Sequence, residues 1–88
     1  MKKVYTVHDG AAGAYLEPFF CRSHAEAIRS FSGAVNGADH IFNQHPDDFH
    51  LFYIGEYDED TGVISSSDHL SLGCAVEFLA SPRLVKEG

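Results

Sequence analysis

The stretch that most constrains this chain is Asp47–Gly62, DDFHLFYIGEYDEDTG, which holds the longest apolar run, Leu51-Phe52-Tyr53-Ile54. Aromatic and β-branched residues in a short run bounded by turn residues read as a strand. An unbroken apolar run further asks for burial on both faces, so this strand is expected at the centre of a sheet, from about Phe49 to Tyr57. Period-two alternation puts Phe49, Leu51, Tyr53, Gly55 and Tyr57 on one side and His50, Phe52, Ile54 and Glu56 on the other. Asp58-Glu59-Asp60-Thr61-Gly62 is then a hairpin loop, with Val63–Ser66 as a short return strand.

The rest of the chain must pack around that strand. Ser23–Val35 carries a helix signature: Ser23 as N-cap, Glu26 three residues later as a capping box, and Ala27, Ile28, Phe31, Ala34 and Val35 on one face. Glu26 and Arg29 share the solvent side. Asn36-Gly37 is the stop, with Gly37 suited to a left-handed C-terminal position. Lys3–His8 alternates as a first strand, and a small-residue loop, Asp9–Ala14, follows it. Tyr15–Arg22 is a second strand, confined to an edge or starting at Phe19 because Pro18 has no N–H for a ladder. Ala38–Gln44 is a connection. His45-Pro46-Asp47-Asp48 reads as a short helical turn, with Pro at the first helical position and acids in the first turn. Two readings compete over His69–Ala80. Leu72, Ala75, Val76 and Leu79 make a helical face with Asp68 as cap, whereas Gly73 and Val76–Phe78 suit a strand; the helix is preferred. Ser81-Pro82 ends the pattern.

The expected fold is therefore α+β: a small antiparallel sheet of three to four strands, one main helix over about 23–36 on one face, and a short C-terminal helix. Residues 1–80 form one domain, with 81–88 as a tail. One helix cannot cover both faces of such a sheet. Eighty-eight residues also bury only a modest share of their surface. Self-association as a homodimer or higher homo-oligomer is the expected remedy. The two cysteines, Cys21 and Cys74, have no C-x-x-C spacing and read as small core residues. No apolar run reaches the roughly 18 residues of a membrane span. No apolar stretch follows Lys2-Lys3, so a signal peptide is not indicated and a cytoplasmic location is expected.

Several chemistries are argued against by spacing. Gly10 and Gly13 are not followed by a P-loop lysine. His40, His45 and His50 recur every five residues, which matches neither helix nor strand, and no tight zinc-type pair exists; His45 reads as a turn or capping residue. Asp58-x-Asp60-x-Gly62 begins like a calcium loop, but Gly comes one place early and the twelfth position is His69. No nucleophile motif is present. The expectation is no enzyme, no catalytic residue, no metal and no cofactor.

Charge and aromatics point toward binding instead. The net charge is −7, yet residues 30–82 contain no Lys or Arg and nine acids, so every cation lies toward one end of the chain or the other. An acidic total opposes general nucleic-acid affinity, but a local basic patch remains open if the ends meet. Sheet aromatics beside Lys or Arg can stack single-stranded bases. Most Phe side chains are expected in the core. Tyr5, Tyr15 and Tyr53 are the expected surface members, since a hydroxyl tolerates water. The candidate nucleic-acid-binding set is Lys2, Lys3, Arg22 and Arg29 for phosphates, with Tyr5 and Tyr53 for bases.

Three blocks in fixed order, KKVYTVHD, PFFCRSHAEAIRSFSGAVN and HPDDFHLFYIGEYDEDTG, resemble the small nonstructural protein of gokushovirus-type microviruses, bacteriophages with single-stranded DNA genomes. The resemblance covers about residues 2–79. It implies a non-virion protein of the host bacterial cytoplasm that acts in DNA replication, at the switch from duplex replication to single-stranded genome synthesis and packaging. It transfers no catalytic residue. Single-stranded DNA is the implied partner. The alternative is an oligomeric adaptor that binds the replication initiator or procapsid through an acidic face.

Overall fold

The computed structural model describes residues 1–80; the expected 81–88 tail, with Ser81-Pro82, Arg83 and Lys86, lies outside the described residues. The elements are β1 (Lys2–Asp9), β2 (Ala14–Tyr15), β3 (Phe19–Cys21), α1 (His24–Val35), α2 (Ile41–Gln44), β4 (Phe49–Asp58), β5 (Val63–Cys74) and a 3₁₀ helix (Ala75–Phe78). All strands pair antiparallel in one sheet of order β2-β1-β4-β5, with β3 also on β1. The fold is α+β with one main helix, but the sheet has five strands rather than three or four. The reason is local. Pro18 interrupts Tyr15–Arg22, so β2 and β3 dock separately on the two halves of the same edge of β1.

The strand at 49–58 is the sheet's spine, hydrogen-bonded to β1 on one side and β5 on the other. Its neighbour β5 runs twelve residues, far past Ser66. The preferred helix at 69–80 is thus incorrect: pairing of Leu70, Ser71, Gly73 and Cys74 with β4 overrides helical periodicity, and only Ala75–Phe78 coils, as 3₁₀. Pro46–Asp48 is a turn closed by Asp48 N–H donating to His45 O at 3.1 Å, not a helix. The Ala38–Gln44 connection contains α2, capped at its N-terminus by the His40 ring and at its C-terminus by His45.

Helix α1 forms as its sequence dictates. Ser23 Oγ accepts the Glu26 N–H at 3.2 Å. The Glu26 carboxylate accepts the Arg22 N–H at 2.6 Å, one residue earlier than a standard capping box, and its ion pair is with Arg22, not Arg29. Gly37 does not take a positive φ. Asn36 ends the helix instead, its side-chain amide donating to Ser32 O and Phe78 O and accepting from Ala80 N–H.

Ala27, Phe31 and Val35 of α1 pack on Tyr5, Val7, Cys21, Phe49 and Leu51 of the sheet, with Phe42 and Ala75 closing the ends. Burying each large apolar side chain contributes roughly 1.5–3 kcal/mol. Cys21 is a buried core thiol, as expected, and Cys74 is half-buried; both are free. The two hairpins turn by one device. Asp9 O accepts the Gly13 N–H and Asp58 O the Gly62 N–H, while each Asp carboxylate accepts a backbone N–H inside the loop. Gly13 and Gly62 both have positive φ, 68° and 76°, which requires glycine. Among the described residues no helix is long and apolar enough to cross a membrane.

Candidate nucleic-acid interface

The site begins with a bulge. Val4 pairs with Gly55 and Tyr5 with Tyr53, leaving Ile54 as an extra residue on β4. The bulge reverses the alternation beyond it. Gly55 and Tyr57 therefore share a face with Phe52 rather than with Leu51 and Tyr53, and Glu56 moves to the other side with its partner Lys3. Simple period-two reading placed these residues on the wrong faces for that reason.

The helices lie on the Tyr5–Val7–Leu51 face. The opposite face carries Lys2, Val4, Thr6 and His8 from β1, Tyr15, Phe20, His50, Phe52 and Tyr57 from its neighbours, and Ile64, Ser66, His69 and Ser71 from β5. The carboxylates of β1 and β4, Asp9, Glu56 and Asp58, belong to the helix side. The helices cover one face of the spine; on the other, Gly55 is buried and His50, Phe52 and Tyr57 are half-buried, so the expected burial on both faces is met fully on one and in part on the other. Thr6 is nonetheless buried, its hydroxyl donating to Leu16 O at 2.7 Å.

Rings populate this open face in two groups. Tyr15 stands 4.6 Å from His8, 6.0 Å from Phe52 and 5.6 Å from His69, measured between centroids. Phe20 and Tyr57 meet edge-on at 5.5 Å. Tyr15 is 49% exposed and Phe20 45%, well above what a core aromatic retains. Beside Phe20 opens a cleft of about 400 Å³ lined by Lys2, Phe20, Cys21, Arg22 and Glu26. It continues over the helix start into a shallower one of about 310 Å³ lined by Arg22, Ser23, Ala25, Glu26 and Arg29.

The six expected site residues divide accordingly. Lys2, Arg22 and Arg29 come together along this edge. Lys3 does not: it turns to the helix side, 3.7 Å from Glu56 and 5.8 Å from the Tyr53 ring centroid. Tyr5 is fully buried and Tyr53 partly buried against the core, which corrects their placement at the surface. The Tyr5 hydroxyl is satisfied inside, 2.7 Å from His24 Nδ1, and burial pushes its pKa up to about 12. Of the three tyrosines expected outside, Tyr15 is there. Sequence reasoning missed Phe20 and Phe52 because it expects most Phe in the core, and it also missed Tyr57 and the ring-contacting histidines. Alternation of Val4, Thr6 and His8 was the available signal, but the bulge that aligns Tyr57 with them leaves no mark in the sequence.

The separation of charge is partial. Glu26 sits within the cationic cleft, 3.8 Å from the highly exposed Arg22 guanidinium, a surface pair of small strength. The Met1 amino group lies 3.0 Å from Glu59. Their hydrogen bond and mutual attraction raise the amine's pKa and lower the carboxylate's. Half of the twelve described acids lie at the two ends of the sheet, Asp58–Asp60 at one and Asp9, Asp47 and Asp48 at the other, where Gly10 N–H donates to Asp48 O; Glu17, Asp39, Glu56, Asp68 and Glu77 lie elsewhere. Among the described residues no three His, Cys, Asp or Glu side chains meet as a metal site, and His40, His45 and His50 stay apart.

Comparison with curated proteins and with solved structures found no match. The family model described as Phage ORF5 protein matches residues 2–78, and the chain, a bacteriophage protein, belongs to that family.

Proposed function

We propose that this phage protein binds single-stranded DNA, without catalysis, on its open sheet face. The observation that carries the reading is the juxtaposition of half-exposed Phe20 with a cleft edged by Lys2 and Arg22, on the face whose far end carries half-exposed Tyr15. Rings offer a sequence-tolerant stacking surface, and the cations track the phosphates. The carboxylates of β1 and β4 lie on the other side of the sheet, so the acidic total does not oppose DNA there. The resemblance of its sequence to the gokushovirus-type nonstructural proteins supports a role in the host cytoplasm, at the switch from duplex replication to genome synthesis and packaging. The adaptor reading has less beneath it, because half of the described acids divide between the sheet's two ends and the rest are spread over other elements.

Fluorescence anisotropy with a labelled oligothymidylate at low salt tests the proposal. Binding that falls in Tyr15→Ala, Phe20→Ala and Arg22→Glu supports it. No binding at low salt, or binding indifferent to all three changes, overturns it.

A further inference from the structure

We propose that two copies of this chain pair through the free edge of β5, antiparallel and about a two-fold axis near the middle of the strand, to give one continuous sheet. This inference does not rest on DNA binding.

Among the described residues, strand β5 has β4 on one side and no strand on the other. Its twelve residues, VISSSDHLSLGC, contain no Lys, Arg, Glu or Pro, the residues with which soluble proteins blunt an edge. Asp68 is its one carboxylate, and residues 63–71 are all exposed. The edge therefore presents a long row of backbone donors and acceptors, and Asp68, close to the axis, is its one charge that repels its own copy. The other side of the sheet cannot receive it. There β2 and β3 offer two and three residues, separated by Pro18. Addition of β5 to the far edge of a second copy would also build an open filament, whereas β5 with β5 closes at two.

The sequence of β5 suits its own reverse. Val63 and Ile64, 54% and 62% exposed, stand at one end; Leu70, 49% exposed, and Leu72 stand toward the other; Ser65-Ser66-Ser67 lie between. Antiparallel self-pairing sets the apolar end of each strand beside the apolar part of the other. A two-fold axis perpendicular to the sheet keeps the helix layers on one side and brings the two aromatic faces together on the other. Twelve residues at about 3.4 Å make an edge about 40 Å long, and a sheet about 10 Å thick then buries on the order of 800 Å² in total. That is below the roughly 1,200 Å² where stable interfaces begin, so the dimer is weak and concentration-dependent.

Sedimentation velocity from low micromolar to millimolar protein tests this. The expected result is a rise from the 9.7 kDa monomer toward twice that mass. Ser66→Lys and Leu70→Lys are expected to abolish the rise with unchanged circular dichroism, and Phe20→Lys, on the open face, to leave it intact. A monomer at every concentration, a dimer that survives both β5 variants, or one lost only in Phe20→Lys overturns the proposal. Should the β5 variants fail to fold, amide hydrogen exchange of the native chain decides. Slower exchange in residues 63–74 at high concentration supports the pairing; unchanged exchange there rejects it.

Discussion

The Tyr5 hydroxyl and His24 Nδ1, nineteen residues apart in the chain, lie 2.7 Å from one another and join the first strand to the first turn of the main helix. The Tyr53 ring completes a trio with centroids 4.9 Å from His24 and 5.6 Å from Tyr5. Burial, then the nearby Cys21, Tyr53 and Glu26, raise the Tyr5 pKa from 10.0 to about 12. Below pH 10 neither folded nor unfolded Tyr5 is ionised, and its contribution is whole. Between pH 10 and about 12 the unfolded chain releases the proton while the folded one keeps it, so stability falls, by up to about 3 kcal/mol. Tyr5→Phe loses the hydrogen bond, about 1 kcal/mol at pH 7, but lacks this alkaline loss. Urea melts of both proteins at pH 7 and pH 11 should show the gap narrow and then reverse; a gap constant with pH contradicts the assignment.

Asn36 latches the chain's last described turn to α1. Its amide donates to Phe78 O at 2.9 Å and accepts from Ala80 N–H at 2.7 Å, while also holding Ser32 O. Loss of these bonds in Asn36→Ala is expected to cost about 1–3 kcal/mol. The Phe78 ring, which packs edge-on to Phe31 at 5.7 Å, should then loosen. Hydrogen exchange accelerated over residues 75–80, with β4 unaffected, is the expected pattern; acceleration spread evenly over the fold points elsewhere.

What the sequence made legible was local. The cap at Ser23, the apolar stripe of α1, the Asp58–Gly62 hairpin and the spine strand all follow from short-range chemistry. What escaped it was set by pairing. The extra residue at Ile54 depends on β1, about fifty residues earlier, and the length of β5 on pairing that reaches from Cys74 back to His50, and no propensity encodes them. The same limit governed the site. The clustering of Lys2 with Arg22 depends on β3 docking antiparallel to β1 with Lys3 opposite Cys21. The burial of Tyr5 depends on a histidine waiting on α1 to take its hydroxyl.

Two glycines should respond to alanine with opposite signs. At Gly55 a Cβ would run into the Ser65 carbonyl of β5, a backbone neighbour that cannot swing aside. Overpacking of this kind costs typically about 1–3 kcal/mol. At Gly33, within α1, a Cβ meets nothing within 4 Å. Replacing glycine in an exposed helix interior should stabilise by about 0.5–1 kcal/mol. Thermal melts of Gly55→Ala and Gly33→Ala give the check; equal shifts of one sign contradict the placement of Gly55 against β5.

The DNA reading makes a prediction in salt. Each cation that neutralises a phosphate on a single strand contributes about 0.7 to the steepness with which log affinity falls against log salt. Among the described residues Arg22 is ion-paired with Glu26, and Arg29 lines the adjoining cleft. Arg22→Ala and Arg29→Ala should each flatten the slope by up to that amount and weaken binding alike for every base sequence. Glu26→Gln neutralises the carboxylate that lines the cleft among the described residues and should strengthen binding. Tyr15→Ala and Phe20→Ala remove stacking instead, costing about 1–3 kcal/mol each with the slope unchanged. Tyr5→Phe, whose ring lies inside the fold, should bind as the native chain does. Titrations at several salt concentrations separate these effects. A slope that Arg22 and Arg29 do not alter, alongside a loss in Tyr5→Phe, would place any DNA contact on the helix side and abandon the open face.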